Sequence, residues 1–271
     1  MTRRRIGSFA AALALLLCCT FDAVASEGGP RLLTAPSPGW SERDASLQRG
    51  ARNFVNYCLN CHSAQLMRYS RLTDLGITEA MIKDNLMFAT DKIGSPMNVA
   101  MSRSDGASWF DAAPPDLSVE ARVRGKDWLF SYLLAFYRDE ESTTGWGNLV
   151  FPNVRMPHVL WSLGGTQKLV ETEYEDRDKA EAAALAAKGL AAMEPAAGGK
   201  FVVKTLAEDA PGSLSGPEYR AFVSDLVNYL DYMAEPVKSE RINIGIVVLI
   251  FFGVLFVLVY SLKRDYWKEV H

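Results

Sequence analysis

Five consecutive residues, Cys58-Leu59-Asn60-Cys61-His62, concentrate most of the chemistry this sequence offers. Two thiols at this spacing can each add across a vinyl group of a porphyrin. The imidazole that follows at once is then held over one face of the ring, where it can ligate iron. The motif therefore reads as an attachment site for one covalent haem c, with Cys58 and Cys61 as the thioether donors and His62 as an axial ligand. Other chemistries fit less well. A structural zinc site needs four ligands, and beyond this motif the chain has only His158, His271, Cys18 and Cys19. A redox dithiol wants a βαβ setting, whereas Leu47, Ala51, Phe54 and Cys58 form a helical stripe that ends on the first thiol. Ser41, with Asp44 three residues on, is a candidate cap for that helix.

An iron held by one imidazole has a second axial position, and nine methionines compete for it. Met156 follows a strongly apolar segment and precedes an amphipathic one. Pro157 biases it to extended backbone, and Pro152 stiffens the same loop. Met97, next to Pro96, is a competitor. So is His158, which an extended segment would point to the same side as Met156. An open position is the remaining alternative. A thioether opposite the imidazole would favour ferrous iron and raise the potential. Arg122 and Arg124 are placed to meet propionates at the ring's rim, although solvated surface arginines would look the same in sequence.

The elements that position these groups are expected to be mainly helical. Residues 27–40 are an extended lead-in rich in Pro and Gly, and the helix carrying the thiols follows, to about His62. A short helix over 78–87 is capped by Thr78, and 91–111 reads as a loop. Ala113-Pro114-Pro115-Asp116-Leu117-Ser118 is a rigid, turn-like segment. Residues 126–138 are apolar nearly all round and predict a buried helix; 145–163 is a second loop. The stretch 167–214 reads as a surface insertion, with an exposed helix over 178–193 and a strand over 200–206. Residues 218–233 put Tyr219, Phe222, Val223, Leu226, Leu230 and Met233 on one helical face.

Both ends point to export and anchoring. Arg3-Arg4-Arg5, an apolar run and Ala23-Val24-Ala25 make residues 1–25 a secretory signal peptide, which would remove Cys18 and Cys19. The mature chain then keeps no cysteine outside the haem motif and has no intrachain disulfide framework. Residues 242–262 carry no charged side chain, enough to cross a hydrocarbon core of about 30 Å, and 241–262 is the expected transmembrane helix. Lys263, Arg264 and Lys268 place the short tail, 263–271, in the cytoplasm, and so residues 26–240 outside. The leader and the anchor with its tail each carry +2 of a total of −3, which leaves the exported domain at about −7. No nucleic acid is expected as a partner; Asp139, Glu140, Glu141 and the acids of 171–178 could instead steer a basic protein.

An early helix bearing C-x-x-C-H, a middle helix, a ligand loop and a late amphipathic helix resemble a class I cytochrome c domain, here with long loops, an insertion and one C-terminal span. More specifically, the chain resembles the cytochrome c1 family, the haem-c subunits of bacterial cytochrome bc1 complexes. The likeness lies in Cys58-Leu59-Asn60-Cys61-His62 with Tyr69 after it, Ala113-Pro114-Pro115-Asp116-Leu117-Ser118, Arg122-x-Arg124-Gly125, Met156-Pro157 and the single span with its basic tail. It implies that His62 and Met156 are the axial ligands, that Arg124 contacts a propionate, and that Pro114 and Pro115 line the haem pocket. It further implies a redox subunit without separate enzymatic activity. Such a subunit takes electrons from the Rieske iron–sulfur protein, hands them to a cytochrome c acceptor, and lies against cytochrome b in the bacterial inner membrane with its haem domain on the periplasmic side. A free-standing anchored cytochrome c serving a terminal oxidase is the alternative within the same class. It would need a flexible linker, and only 235–240 separate the last helix from the span. A haem-based ligand sensor is the alternative from another class, and it would need a labile sixth position and an output domain.

Overall fold

The computed structural model describes residues 29–268; the signal peptide expected over 1–25 lies outside the described residues. Helix α1 (Arg43–Tyr57) and helix α8 (Gly216–Ala234) cross at the centre of the domain. The apolar stripe of α1 is buried as its spacing requires: Leu47, Ala51 and Phe54 all enter the core. The crossing is close because position 50 is glycine. A Cβ there would stand 2.2 Å from the carbonyl oxygen of Asp225 and 2.6 Å from the Cβ of Tyr229. Polar contacts fix the rotation of the pair: Ser46 Oγ donates to Asp225 at 2.6 Å, and Arg49 pairs with the same carboxylate. Farther along, the Phe54 and Tyr229 rings meet at 5.6 Å.

The caps differ from expectation at one end, match it at a second, and include a third that was not expected. Ser41 does not cap α1; it sits inside a 3₁₀ turn (Trp40–Glu42) that leads into the helix, and the capping position, Glu42, makes no side-chain cap. Thr78 caps α2 (Glu79–Asn85) by accepting from the amide of Met81. Helix α8 starts in a reciprocal box between Ser215 and Glu218, with Pro217 in its first turn.

Several segments depart from the expected elements. Residues 91–111 are not a plain loop. Strand β2 (Pro96–Met97) pairs with β1 (Ala64–Arg68), and α3 (Arg103–Phe110) follows, capped by Ser102 accepting from the amide of Asp105. Helix α4 (Glu120–Arg124) turns at Gly125, φ 86°, into α5 (Lys126–Leu134). The apolar run does not continue helically to Arg138. The amide of Asn148 takes the carbonyl of Tyr132, and Phe136–Arg138 becomes β3, antiparallel to β4 (Trp146–Asn148). After a short helix α6 (Trp161–Gly164), β5 (Thr166–Tyr174), β6 (Ala191–Pro195) and β7 (Phe201–Ala210) form an antiparallel sheet with β7 between β5 and β6, and α7 (Arg177–Ala186) connects β5 to β6. The exposed helix thus stops at Ala186, short of 193, and the single strand expected there is the centre of three. Helix α9 (Lys238–Tyr266) is uniformly apolar over its middle and buries no side chain in the domain; only its first turns touch it, through Lys238, Arg241 and Ile242.

Candidate functional site: an apolar cavity closed by a thiol–imidazole turn and a methionine loop

The chain turns tightly at the end of α1. Cys61 and His62 both donate their backbone N–H to the carbonyl of Cys58, at 3.0 and 2.8 Å, so two thiols and an imidazole gather within one turn. They form one wall of a cavity of about 440 Å³. Burial pushes the Cys58 thiol up to about 12 and the Cys61 thiol up as well, so neither is a thiolate near neutral pH.

The proline segment is held against this wall by its own sequence. Leu117 N–H donates to the carbonyl of Ser63 at 2.8 Å. The Asp116 carboxylate accepts from the amides of Gln65 and Ser118 at 2.8 and 2.9 Å, and Ser118 Oγ accepts from Leu66 N–H at 3.0 Å. Pro114 and Pro115 are thereby pinned into the cavity lining. The clip has a further consequence. His62 Nδ1 lies 2.8 Å from the carbonyl oxygen of Pro115, an atom that can only accept. The proton therefore sits on Nδ1, and Nε2 keeps a free lone pair. Burial is the main influence on this imidazole and lowers its pKa; the bond to Pro115 opposes it.

Met156 enters the same cavity from the loop after β4. Asn148 Oδ1 turns that loop by accepting from the amides of Val150 and Phe151 at 2.9 and 3.0 Å, and Arg155 ties it to Asp111 at 3.2 Å. Tyr132 Oη donates to Met156 Sδ at 3.4 Å. Arg124 also lines the cavity. Its Nε donates to Glu120 at 3.2 Å, while its guanidinium lies 4.8 Å over the Trp128 ring, which stacks in turn on Tyr132.

The remaining candidates lie elsewhere. Arg122 is exposed and does not line the cavity; its charge acts instead on Glu235. Met97 is fully buried, with Tyr229 Oη 3.7 Å from its sulfur, and is absent from the cavity wall. His158 does not share the side of Met156. Its ring stacks on Phe136 at 4.8 Å and meets the edge of Trp146 at 5.0 Å, and burial, then Arg138, pushes it down to about 4. The proline between the two residues breaks the simple alternation that the strand argument assumed. The reasoning from sequence also missed residues that shape the cavity, namely Trp128 and Tyr132. Part of their signal was present, since Trp128 and Tyr132 stand one turn apart in α5; Arg124 joins them only through the turn at Gly125.

These residues fit a covalent porphyrin. Two protonated thiols, a neutral imidazole with a free Nε2 and a thioether face a cavity walled by Leu129, Leu133, Leu226 and Leu230. Such a set defines a c-type cytochrome. The comparisons with known proteins narrow the class. The model of the Cytochrome C1 family matches residues 40–198 and 217–270. Cytochrome c1 of Allochromatium vinosum is 42% identical over 94% of this chain and 96% of its own. A protein of Nitrosomonas europaea named ammonia monooxygenase gamma subunit is 41% identical over 83% of this chain and 84% of its own. Cytochrome c1 of Rhodospirillum rubrum is 26% identical over 96% of each. The chain belongs to the cytochrome c1 family, whose members carry covalent haem c for electron transfer.

Proposed function

We propose that this protein is the electron-transferring haem-c subunit of a bacterial cytochrome bc1 complex. In this reading it accepts electrons from the Rieske iron–sulfur protein and delivers them to a cytochrome c. Cleavage after residue 25 exports a class I-type haem domain, with 167–214 as a surface insertion, to the periplasmic side of the inner membrane, where α9 holds it beside cytochrome b. The observation that carries the reading is the convergence of Cys58, Cys61, His62 and Met156 on one apolar cavity.

The bound haem supplies a one-electron ferric–ferrous couple. The chain's own residues set its conditions. The carbonyl of Pro115 holds the His62 ring in the tautomer that presents Nε2. Tyr132 and the Arg155–Asp111 pair restrain the Met156 loop, so little reorganisation accompanies a change of charge. Aliphatic walls exclude water and disfavour the extra ferric charge. Arg124, stacked on Trp128, presents N–H donors for a propionate.

Quinol-driven reduction of this haem in membranes is expected to stop when the quinol-oxidation site that feeds the Rieske protein is inhibited. Undiminished reduction under that block would refute the assignment. The likeness to the Nitrosomonas europaea protein named ammonia monooxygenase gamma subunit favours one second reading, a redox subunit of an oxygenase. Extraction in mild detergent separates the two readings: the first expects cytochrome b to co-purify, and the second does not.

A further inference from the structure

A second groove, of about 310 Å³, lies where the domain meets its membrane helix. Arg43, Lys126, Asn228, Asp231, Lys238 and Ile242 are among the residues that line it. Ile242 is the first residue of the uncharged run. With α9 read as a membrane anchor, the groove therefore stands at the depth of lipid headgroups.

The polar groups of the groove divide into satisfied and unsatisfied ones. Lys238 Nζ is shared with the Asp231 carboxylate at 3.3 Å, and Glu235 is taken by Arg241. Lys126 differs. Its Nζ donates to Ser37 Oγ at 3.0 Å, and among the described residues it pairs with no carboxylate. Burial pulls its pKa down, opposed by the charges of Asp231 and Asp127 and reinforced by Lys238. Among the described residues, Arg43 has only a long contact, 3.4 Å, with the exposed Asp44. Asn228 supplies the complement. It is 5% exposed, and its Nδ2 donates to the carbonyl of Pro36 at 3.2 Å, an acceptor that fixes the orientation of the amide. Its Oδ1 is buried and, among the described residues, receives no donor. An occupant matching this groove brings an anion for the cations and a hydrogen-bond donor for the amide oxygen.

We propose that the groove binds one membrane phospholipid whose headgroup is a phosphodiester ending in a hydrogen-bond donor. The phosphate lies on Lys126 and Arg43, and the donor on Asn228 Oδ1. Phosphatidylethanolamine and phosphatidylglycerol meet this description. Phosphatidylcholine carries the same phosphate but a quaternary ammonium without N–H.

The test uses the full haem-loaded chain in detergent, stripped of lipid and titrated with each of the three lipids, with one-lipid adducts counted by native mass spectrometry. Phosphatidylcholine is expected to bind about five-fold more weakly than the other two, the worth of one hydrogen bond to a buried acceptor. Lys126→Gln should weaken all three, and Asn228→Leu should erase the discrimination between phosphatidylethanolamine and phosphatidylcholine. An unchanged haem spectrum reports that both variants are folded. Should Asn228→Leu not fold, the three lipids on the unaltered chain still test the donor. Equal binding of the three would overturn that half of the proposal, and undiminished binding by Lys126→Gln the other half. Displacement of the lipid by soluble glycerophosphoethanolamine at equal concentration would assign the groove to free phosphodiesters and overturn the lipid. None of these readouts depends on which redox partners the haem serves.

Discussion

Replacing Gly50 by alanine sets two effects of known sign against each other. In a helix interior alanine is favoured over glycine by about 1 kcal/mol, so propensity alone predicts stabilisation. The added Cβ would stand 2.2 Å from Asp225 O, 2.6 Å from Tyr229 Cβ and 2.9 Å from Asp225 C. Two of these are backbone atoms of α8, so no rotamer change relieves the overlap; the helices must part by about 1 Å to restore ordinary contact distances. Overpacking of this kind costs about 1–3 kcal/mol, and a clash with backbone belongs at the upper end. The net expectation is a loss of about 1–2 kcal/mol, which lowers the melting temperature by about 2–8 °C for a domain of this size. The same movement would displace Leu226 and Leu230, which α8 contributes to the cavity, relative to Cys58 at the end of α1. Thermal unfolding of the haem-loaded chain, followed at the Soret band and by circular dichroism, measures the effect. Gly216→Ala is the control, because a Cβ there meets nothing within 4 Å. If Gly50→Ala were as stable as the unaltered chain, the helix crossing would not be the close-packed centre described above.

Further outcomes follow from the same structure. Met156→Lys should abolish the near-red charge-transfer absorption of the ferric protein, whereas His158→Phe should leave it in place and cost less than about 1.5 kcal/mol, because His158 packs as a neutral ring between Phe136 and Trp146. Asp116→Ala strands the amides of Gln65 and Ser118 and loosens Pro115 from His62 Nδ1; a loss of about 2 kcal/mol is expected in chemical denaturation, with slower haem attachment. Glu218 is held below its ordinary value of 4.5 by bonds from Ser215, so its capping contribution is complete above that value and is lost as pH falls through the lowered one. Glu218→Gln should accordingly destabilise near pH 7, and its deficit should shrink as pH falls below 4.5, as melting curves across that range would reveal.

What could be read in the sequence, and what could not, divides along the range of the forces involved. The thiol–imidazole motif, the Thr78 cap, the faces of α1 and α8 and the uncharged span are all local patterns, and each appears where its spacing put it. The strands are different. Residues 136–138 continue the aromatic run of the helix before them and leave it where distant partners take its carbonyls: the Asn148 side chain that of Tyr132, and Gln167 those of Leu134 and Phe136. Strand β5 carries charge at 168, 171 and 173 and reads as solvated surface until β7 supplies its ladder, with Lys204 reaching Glu171 across the pair. The ligand question divides in the same way. Proline stiffness singled out the Met156 loop from sequence, but only the stacking of His158 behind Phe136 removes that residue from the cavity. Asp116 is the most instructive case. As a letter after two prolines it reads as turn chemistry; in the fold its carboxylate fastens the proline segment to β1 and so sets which nitrogen of His62 carries the proton. The local motif names the candidate ligand, and a long-range clip decides which of its nitrogens keeps a free lone pair.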